Sequence, residues 1–308
     1  MTADTSPPLP RYWQPVEETS TPASSPLPPD APPAKSVRCG LCFRACTLAP
    51  GLRGFCGARL NSGTGQLLSP YLGRFVSCAI DPIEKKPLYH WRPGSSIFSL
   101  GSVGCTMHCP FCQNASIAHP TQWPAPAFLP VNDLVATIRK HKLDSVAYTY
   151  NEPSLQAEYI LAAAPVLKDA GIATVLVTNG MFSPSLLHDL TTCVAAVNID
   201  CKTFSHKNYA RLGGCLHTMK RSATVMKEAG IHVELTCLVV PGISDNPEDF
   251  AHMVEWIASL GTDTPLHISR YFPRYKYTEP QTSIETLEHF RHIARSRLSH
   301  IHLGNVRF

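Results

Sequence analysis

The sequence Cys105-Thr-Met-His-Cys109-Pro-Phe-Cys112 places three thiols within eight residues, in the spacing C-x3-C-x2-C. Thiolates are soft ligands that select iron–sulfur clusters, zinc or Cu(I). A structural zinc site takes four protein ligands, and this loop supplies three. A cubane iron–sulfur cluster that is held by three cysteines keeps one iron atom open to a small molecule. The number of thiols therefore favours a cluster with one free coordination position.

Two glycines just before this loop, Gly101 and Gly104, can provide the positive φ angles that a tight turn around a cluster requires. The alternative is that the three cysteines pack in the core as small hydrophobic residues, as free cysteines often do. Chance seldom spaces thiols in this way beside a glycine turn. We therefore expect Cys105, Cys109 and Cys112 to bind a metal cluster.

A second set of cysteines lies closer to the N-terminus, in the spacing C-x2-C-x3-C-x9-C. It consists of Cys39, Cys42, Cys46 and Cys56. Four thiolates suit a structural zinc ion, or an auxiliary iron–sulfur cluster in which the protein ligates every iron. The segment is too short for a hydrophobic core of its own, so that a bound metal would supply folding energy. The spacing favours metal over unligated thiols and leaves zinc and iron open.

The chain of 308 residues is long enough for one large domain and a smaller one. Its formal charge of +4 is too weak to demand a nucleic-acid partner, and no apolar run approaches the ~20 residues of a membrane-spanning helix. We expect no secretory signal peptide, so that the twelve cysteines indicate metal binding rather than a disulfide framework. A cytoplasmic protein with reduced thiols is predicted.

Residues 1–36 contain ten of the 28 prolines, with serine and threonine between them. Such a segment buries too little apolar surface to offset the entropy lost on ordering it. The composition predicts three regions: a disordered proline-rich tail over residues 1–36, a cysteine-rich segment with a connector over 37–90, and the main domain over 91–308.

From residue 96 onward, short apolar stretches alternate with helix-like ones. Predicted strands cover residues 96–100, 144–149, 172–178, 195–200, 231–240 and 266–271, with a short strand at 300–303. Predicted helices cover residues 134–141, 155–170, 184–191, 216–229, 247–260 and 284–297. Repeated β–α units with apolar strands indicate a parallel sheet covered by helices. We predict an α/β fold, a partial (β/α)6 TIM-like barrel with a small cysteine-rich, metal-binding cap at its N-terminus.

Polar residues follow the predicted strands at the edge where such a barrel binds its ligands. The first strand leads into the cysteine loop, the second into Tyr150-Asn151-Glu152, the third into Thr178-Asn179 and the fourth into Asp200-Cys-Lys202. A single polar residue at a strand end is usually a helix cap or a turn former. Several of them around one edge, facing an open iron, favour a cofactor site.

The chain resembles the radical S-adenosylmethionine (SAM) superfamily, and within it the AmmeMemoRadiSam group, once described as related to pyruvate formate-lyase activating enzymes. The motifs that carry the resemblance lie at residues 39–61, 81–90, 104–114, 150–153, 199–202 and 267–276. The resemblance implies that Cys105, Cys109 and Cys112 ligate a 4Fe–4S cluster and that SAM chelates its fourth iron. Reductive cleavage of SAM would give methionine and a 5′-deoxyadenosyl radical, which abstracts hydrogen from a substrate that the sequence does not identify.

The resemblance also implies which side chains contact SAM. Glu152, with Asn151 beside it, occupies the place where relatives bind the methionyl ammonium, and a carboxylate suits that cation. Phe111 would lie near the adenine. The remaining expected contacts, for the ribose, the carboxylate or the sulfonium region, are Thr178, Asn179, Asp200, Lys202 and His267.

Several partners and alternatives follow from this resemblance. An electron donor of the flavodoxin or ferredoxin type is expected to reduce the cluster. The substrate is a small molecule or peptide, with Memo-like and AMME-type proteins as companions, or a glycine of a partner enzyme, as for activases of glycyl radical enzymes. A non-catalytic, metal-stabilised nucleic-acid-binding protein is the alternative from another class, because basic and aromatic residues alternate over 270–277. Binding of nucleic acid does not require an iron atom with an open coordination position, so that the radical enzyme is favoured.

Overall fold

The computed structural model describes residues 6–16 and 35–306 of the protein. Its N-terminal part consists of short antiparallel strands. One sheet contains β1 (Trp13–Pro15), β2 (Val37–Cys39) and β3 (Thr47–Leu48), and a second contains β4 (Leu60–Asn61) and β5 (Leu67–Leu68). Asn61 joins the two sheets, because its buried side-chain amide donates to the backbone carbonyl of Leu48 at 3.0 Å.

Part of the proline-rich tail is ordered, contrary to the prediction for residues 1–36. Strand β1 pairs with β2, and Tyr12 beside it is buried, with its hydroxyl donating to the Asp189 carboxylate at 2.7 Å. Burial of an aromatic ring and the pairing of backbone groups offset the entropy lost on ordering this short stretch. The rest of the predicted tail, residues 1–5 and 17–34, lies outside the described residues.

The main sheet has eight strands. They are, in chain order, β6 (Ser77–Pro82), β7 (Ser96–Gly101), β8 (Ser145–Tyr148), β9 (Ala173–Thr178), β10 (Ala196–Asp200), β11 (His232–Val239), β12 (Leu266–Arg270) and β13 (Ile301–Gly304). Each strand pairs with the next one along the chain. All pairs from β7 to β13 are parallel, while β6 runs antiparallel to β7 at one edge.

Helices connect the parallel strands. They are α1 (Ala115–Ala118), α2 (Val131–Lys140), α3 (Ala157–Asp169), α4 (Pro184–Thr191), α5 (His206–Arg211), α6 (Leu216–Glu228), α7 (Pro247–Leu260) and α8 (Ile284–Arg295), with short 3-10 helices at Ile83–Lys85 and Pro153–Gln156. Helices α4, α7 and α8 begin at polar caps, where Ser183, Asn246 and Ser283 accept the backbone N–H three residues on. No helix within the described ranges is long and apolar enough to cross a membrane.

The predicted α/β partial barrel is confirmed. Six parallel strands, β7 to β12, are each followed by a helical segment, and β13 completes the row. Strands β7 to β12 are buried over most of their length, as in Val146-Ala147-Tyr148 of β8, because helices and the barrel interior cover them. Among residues 6–16 and 35–306 no pairing joins β6 to β13, so that the barrel is open between these edges.

The segment between β6 and β7 crosses the interior near the N-terminal ends of the strands. The backbone N–H groups of Tyr89 and His90 donate to the carboxylate of Glu234, the third residue of β11, at 3.1 and 2.8 Å. The side-chain amide of Asn198 on β10 donates to the carbonyl of Pro87 at 2.8 Å. This segment therefore fills the lower part of the barrel and leaves the C-terminal ends of the strands accessible.

The cysteine loop after β7 packs directly against the N-terminal part of the chain at Gly104. This glycine has a φ of +88°, in the left-handed region that other residues seldom adopt. A Cβ atom at this position would lie 2.7 Å from the carbonyl oxygen of Cys56 and 2.9 Å from the Cδ1 atom of Leu155. The position therefore requires glycine for its φ angle and for the close approach of another backbone.

Substitution of Gly104 tests this contact. We expect Gly104→Ala to lower the free energy of unfolding by about 3 kcal/mol, from about 1 kcal/mol of left-handed strain and a further ~2 kcal/mol of steric overlap. Gly94→Ala is the matched control, because Gly94 also has a positive φ, +77°, yet a Cβ atom there would meet no other atom within 4 Å. It should cost only the strain of about 1 kcal/mol. Urea unfolding of the metal-free wild type and both variants measures these free energies of unfolding. If the two substitutions lowered the free energy of unfolding equally, the predicted steric overlap at Gly104 would be contradicted.

Candidate cofactor site

The C-terminal ends of the barrel strands surround a cavity of about 460 Å³. This volume suits a ligand of the size of a nucleoside conjugate. All three cysteines of the loop after β7 line the cavity. The later strands contribute one or more polar residues each, and these include Asn151, Glu152, Asn179, Asp200, Lys202, Thr236, Ser269 and Asn305. The structure therefore brings most of the residues predicted from the strand ends to one place.

The three loop thiols are largely withdrawn from solvent. Burial raises the pKa of Cys105 well above its usual value and raises that of Cys109 to about 12, although Lys202 acts in the opposite direction on Cys109. Burial raises the pKa of Cys112 as well. Without a metal these thiols stay protonated near neutral pH. A bound metal deprotonates its thiol ligands, so that metal binding at this loop releases these protons.

Two N–H groups already face the sulfur of Cys105. The backbone N–H of Met107 lies 3.4 Å from Sγ, and the side-chain amide of Asn179 lies 3.6 Å from it. Within residues 6–16 and 35–306 no group of three or more His, Cys, Asp or Glu side chains is arranged to hold a single metal ion. A cubane cluster needs no such convergence, because each thiolate binds a different iron atom. Three thiolates on one loop thus suit a cubane cluster whose fourth iron has no protein ligand.

Glu152 is the most buried carboxyl group of the cavity wall, with 1% of its surface exposed. Its Oε1 atom accepts from the backbone N–H of Ser154 at 3.0 Å and from the hydroxyl of Thr178 at 2.8 Å. Its Oε2 atom accepts from the backbone N–H of Asn179 at 3.0 Å. Burial raises the pKa of Glu152, and these donors act against the shift. Thr178 itself does not line the cavity and orients Glu152 instead.

Asn151 holds the start of the cysteine loop. Its Oδ1 atom accepts from the backbone N–H of Ser102 at 2.9 Å, and its Nδ2 atom donates to the carbonyl of Gly104 at 3.0 Å. Tyr150, the residue before it, has a φ of +69°. Its carbonyl accepts from the side-chain amide of Asn114 at 2.8 Å. The segment after β8 therefore fixes both ends of the cysteine loop.

Asp200 and Lys202, at the end of β10, form an ion pair of 2.6 Å at the cavity wall. Burial acts to lower the pKa of Lys202, but the adjacent carboxylate of Asp200 outweighs it, and the pKa is raised. Lys202 also acts to lower the pKa of Cys109, so that its charge reaches the cysteine loop. Phe111 is buried in the same wall, with its ring 6.3 Å from that of Tyr277.

His267 lies away from the cavity, contrary to the prediction. It is the second residue of β12, and its Nε2 atom is 2.6 Å from Oε2 of Glu234 in the lower part of the barrel. Its ring contacts that of Tyr89 at 4.8 Å. The predicted strand, 266–271, begins at the same residue as β12. A residue in the first half of a strand lies below the C-terminal edge, so that the prediction of His267 at that edge is wrong.

The four N-terminal cysteines line one small cavity on the other side of the cysteine loop. Its other walls include Arg59, Thr106 and Leu155. Burial raises the pKa of Cys39, Cys42 and Cys56. Cys56 also has its carbonyl against Gly104. The two sets of cysteines therefore occupy neighbouring sites that share one loop.

The basic and aromatic stretch 270–277 does not form a continuous exposed row. Tyr271 is buried and donates its hydroxyl to the carbonyl of Tyr277, whose own hydroxyl donates to the carbonyl of Pro241 at 2.7 Å. Among the aromatic rings of this stretch, those of Phe272 and Tyr275 are exposed. This arrangement is typical of a packed barrel rim, and it does not resemble a stacking surface for bases.

An ion-pair network that sequence reasoning missed forms part of the cavity wall, which includes Lys85 and Lys86. The Asp81 carboxylate on β6 accepts from Lys86 at 2.6 Å, from Lys85 at 2.8 Å and from the hydroxyl of Tyr150 at 2.5 Å. Burial acts to raise the pKa of Asp81, but these three donors lower it overall. Lys86 has 1% of its side chain exposed, while Lys85 has 64% exposed. The only sequence signal for this network was two lysines and two acids compressed between prolines.

Comparison with known proteins agrees with this geometry. Residues 100–257 match the family model of the Radical SAM superfamily. An uncharacterized protein of Methanocaldococcus jannaschii is 36% identical over 275 residues, which cover 88% of this chain and 81% of that protein. A 7-carboxy-7-deazaguanine synthase of Thermococcus kodakarensis is 25% identical over 176 residues, or 51% of this chain and 67% of that enzyme. Among solved structures, Streptococcus suis SuiB bound to S-adenosylmethionine has a TM-score of 0.51 at 18% identity, covering 65% of this chain and 47% of that one.

The Asp81 network gives a test with an internal control. We expect Lys86→Met to lower the free energy of unfolding by about 3 kcal/mol at pH 7, because it leaves a buried carboxylate without its buried partner. Lys85→Met removes the exposed partner of the same carboxylate and should cost less than about 1 kcal/mol.

The loss in Lys86→Met should depend on pH. The lowered pKa of Asp81 means that its contribution to stability is present above the pKa of an unfolded aspartate, about 3.9, and is lost as the pH falls further. The difference between wild type and Lys86→Met should therefore shrink on acidification, as urea unfolding between pH 7 and pH 3 would measure. A difference that stays constant with pH would contradict the role of the carboxylate charge.

Proposed function

The chain belongs to the radical SAM superfamily, and on that basis we propose that Cys105, Cys109 and Cys112 hold its 4Fe–4S cluster, with SAM in the adjoining cavity. The protein is an enzyme that uses a 4Fe–4S cluster to cleave SAM. One observation carries the residue assignment: three thiols from one loop line a cavity of about 460 Å³ together with a buried carboxyl group.

The cluster and SAM, when bound, supply the redox chemistry, in which one electron separates SAM into methionine and a 5′-deoxyadenosyl radical that takes hydrogen from a substrate. The protein's residues provide the surroundings for that step. Met107 and Asn179 donate N–H groups toward the sulfur of Cys105 and so stabilise its thiolate. Lys202 places a positive charge near Cys109, and Asp200 holds that lysine in position.

Glu152 is suited to bind the methionyl ammonium of SAM. A carboxylate offers about four acceptor positions, and the described partners of Glu152 use two on Oε1 and one on Oε2. One position on Oε2 is left for a cation in the cavity. Three donors from the chain keep the group oriented, so that little order is lost when SAM binds.

The other predicted contacts divide into two groups. Phe111, Asn179, Asp200 and Lys202 line the cavity and stay assigned to SAM, with Phe111 as the apolar surface for the adenine. Asn151 also lines the cavity, yet both atoms of its amide hold the cysteine loop, so that we assign it a positioning role. His267 is excluded from this set, because it pairs with Glu234 in the lower part of the barrel.

The substrate is proposed to be a small molecule or a peptide that reaches the same cavity. As a radical SAM enzyme the protein needs an electron donor, for which we propose a flavodoxin- or ferredoxin-like protein. Memo-like and AMME-type companions remain predictions from the resemblance. The activase alternative also remains a prediction, since no contact described above favours the glycine of a partner enzyme as hydrogen donor.

The radical chemistry can be tested on anaerobically reconstituted, reduced protein. We expect SAM to change the cluster's EPR spectrum and 5′-deoxyadenosine to form. Cys109→Ala should abolish both, because the loop then provides two ligands. Cys193→Ala is the matched control, since Cys193 lies after α4 with its thiol near the carbonyl of Leu190 and should leave both signals unchanged. If SAM left the EPR spectrum of the wild-type cluster unchanged, the assignment would be refuted.

The ammonium contact gives a second test. We expect Glu152→Gln to weaken SAM binding by about 10- to 100-fold, because it removes a charged hydrogen bond worth about 1.5–3 kcal/mol. Equilibrium binding to the reconstituted protein measures this. 5′-Methylthioadenosine, which lacks the methionyl ammonium of SAM, is the ligand control and should bind both proteins equally. If the variant bound SAM as tightly as the wild type, the ammonium would have to be held elsewhere.

A further inference from the structure

The N-terminal cysteines surround a void. Cys39, Cys42, Cys46 and Cys56 line a cavity of about 20 Å³, which is enough to admit a water molecule. Around a tetrahedral zinc ion the sulfurs lie ~2.3 Å from the metal and leave no such space between them. Four thiols thus enclose a void, and an occupant that they could ligate belongs in it.

A buried guanidinium group lines the same cavity. Arg59 has 1% of its surface exposed, and its Nη2 nitrogen donates to both carboxylate oxygens of Glu158 at 2.6 and 2.5 Å. Its Nε and Nη1 atoms are buried, and no partner for them is found among the described residues. Buried N–H groups without acceptors are costly. They indicate an acceptor that belongs in the cavity.

From these two observations we propose that Cys39, Cys42, Cys46 and Cys56 hold a second iron–sulfur cluster, a 4Fe–4S cluster with every iron ligated by the protein. Arg59 donates its free N–H groups to the sulfur atoms of this cluster. A cluster with four thiolate ligands is an anion, which a buried arginine stabilises. Hydrogen bonds to cluster sulfurs are one of the factors that set its reduction potential, and donors from a cation raise it.

The second cluster lies directly behind the first loop. Thr106 lines the cavity of the N-terminal cysteines, while its neighbour Cys105 lines the SAM cavity. The carbonyl of Cys56 touches the same loop at Gly104. In this geometry the two proposed clusters, each able to carry one electron, lie on opposite sides of one loop. The proposal rests on the proposed function only in assigning the first cluster to Cys105, Cys109 and Cys112.

Metal content separates the two assignments. In the triple variant Cys105→Ala/Cys109→Ala/Cys112→Ala, reconstituted anaerobically, we expect about half of the wild-type iron and acid-labile sulfide and an EPR signal that SAM does not change. Zinc without sulfide, or loss of all iron, would overturn the second cluster. The reciprocal variant Cys39→Ser/Cys42→Ser should retain the SAM-responsive signal. Failure of that signal in the wild type would refute the proposed function, whereas the iron and sulfide counts test the second cluster alone.

The role of Arg59 is tested by redox titration of the triple variant. Arg59→Lys in that background should keep the iron content and shift the midpoint potential to more negative values, because the lysine offers no planar set of N–H donors. Arg53→Lys is the matched control, since Arg53 donates to the carbonyl of Gly57 at the surface and should leave the potential unchanged. An equal potential in Arg59→Lys and its parent would overturn the assignment of Arg59 as donor.

Discussion

The close approach at Gly104 is the constraint on which the rest of the site depends. The loop after β7 must turn with a positive φ while the backbone of Cys56 and the side chain of Leu155 press against it. Asn151 then fixes the loop on its other side through hydrogen bonds to Ser102 and Gly104. The thiols of such a loop have little conformational freedom, because packing and hydrogen bonds from three separate segments determine the path of its backbone.

Charged groups inside the barrel are each matched by a partner at hydrogen-bond distance. Asp81 is paired with Lys86, and Asp200 with Lys202. In the lower part Glu234 accepts from two backbone N–H groups and lies beside His267 and His232. Burial penalises each of these charges, so that the pairing is a condition for their presence. Glu152 differs, because its hydrogen-bond donors are neutral, and this difference agrees with the cation-binding role proposed for it.

Periodicity and spacing in the sequence were sufficient to predict the parallel barrel, the boundaries of helices such as α4 and α7 and the grouping of polar residues at strand ends. They could not predict features that depend on contacts between residues far apart in the sequence. The order of β1 depends on Tyr12 reaching Asp189, far away in the chain. The ion pair between Arg59 and Glu158 joins two segments that show no shared pattern. His267 was misplaced although its strand was predicted correctly, because a residue three positions before the end of a strand lies about 10 Å below the edge that carries the cavity.

The two sets of cysteines differ in the space beside them as well as in their number. Three thiols stand at a wall of a wide cavity whose other walls provide a carboxylate and an ion pair. Four thiols enclose a small void, with the buried guanidinium of Arg59 in its lining. A cluster that lacks one protein ligand needs room for the molecule that completes its coordination, whereas a fully ligated cluster needs only hydrogen-bond donors for its sulfurs. Ligand number and available space therefore agree with the two clusters that we propose, and one loop contributes residues to both proposed sites.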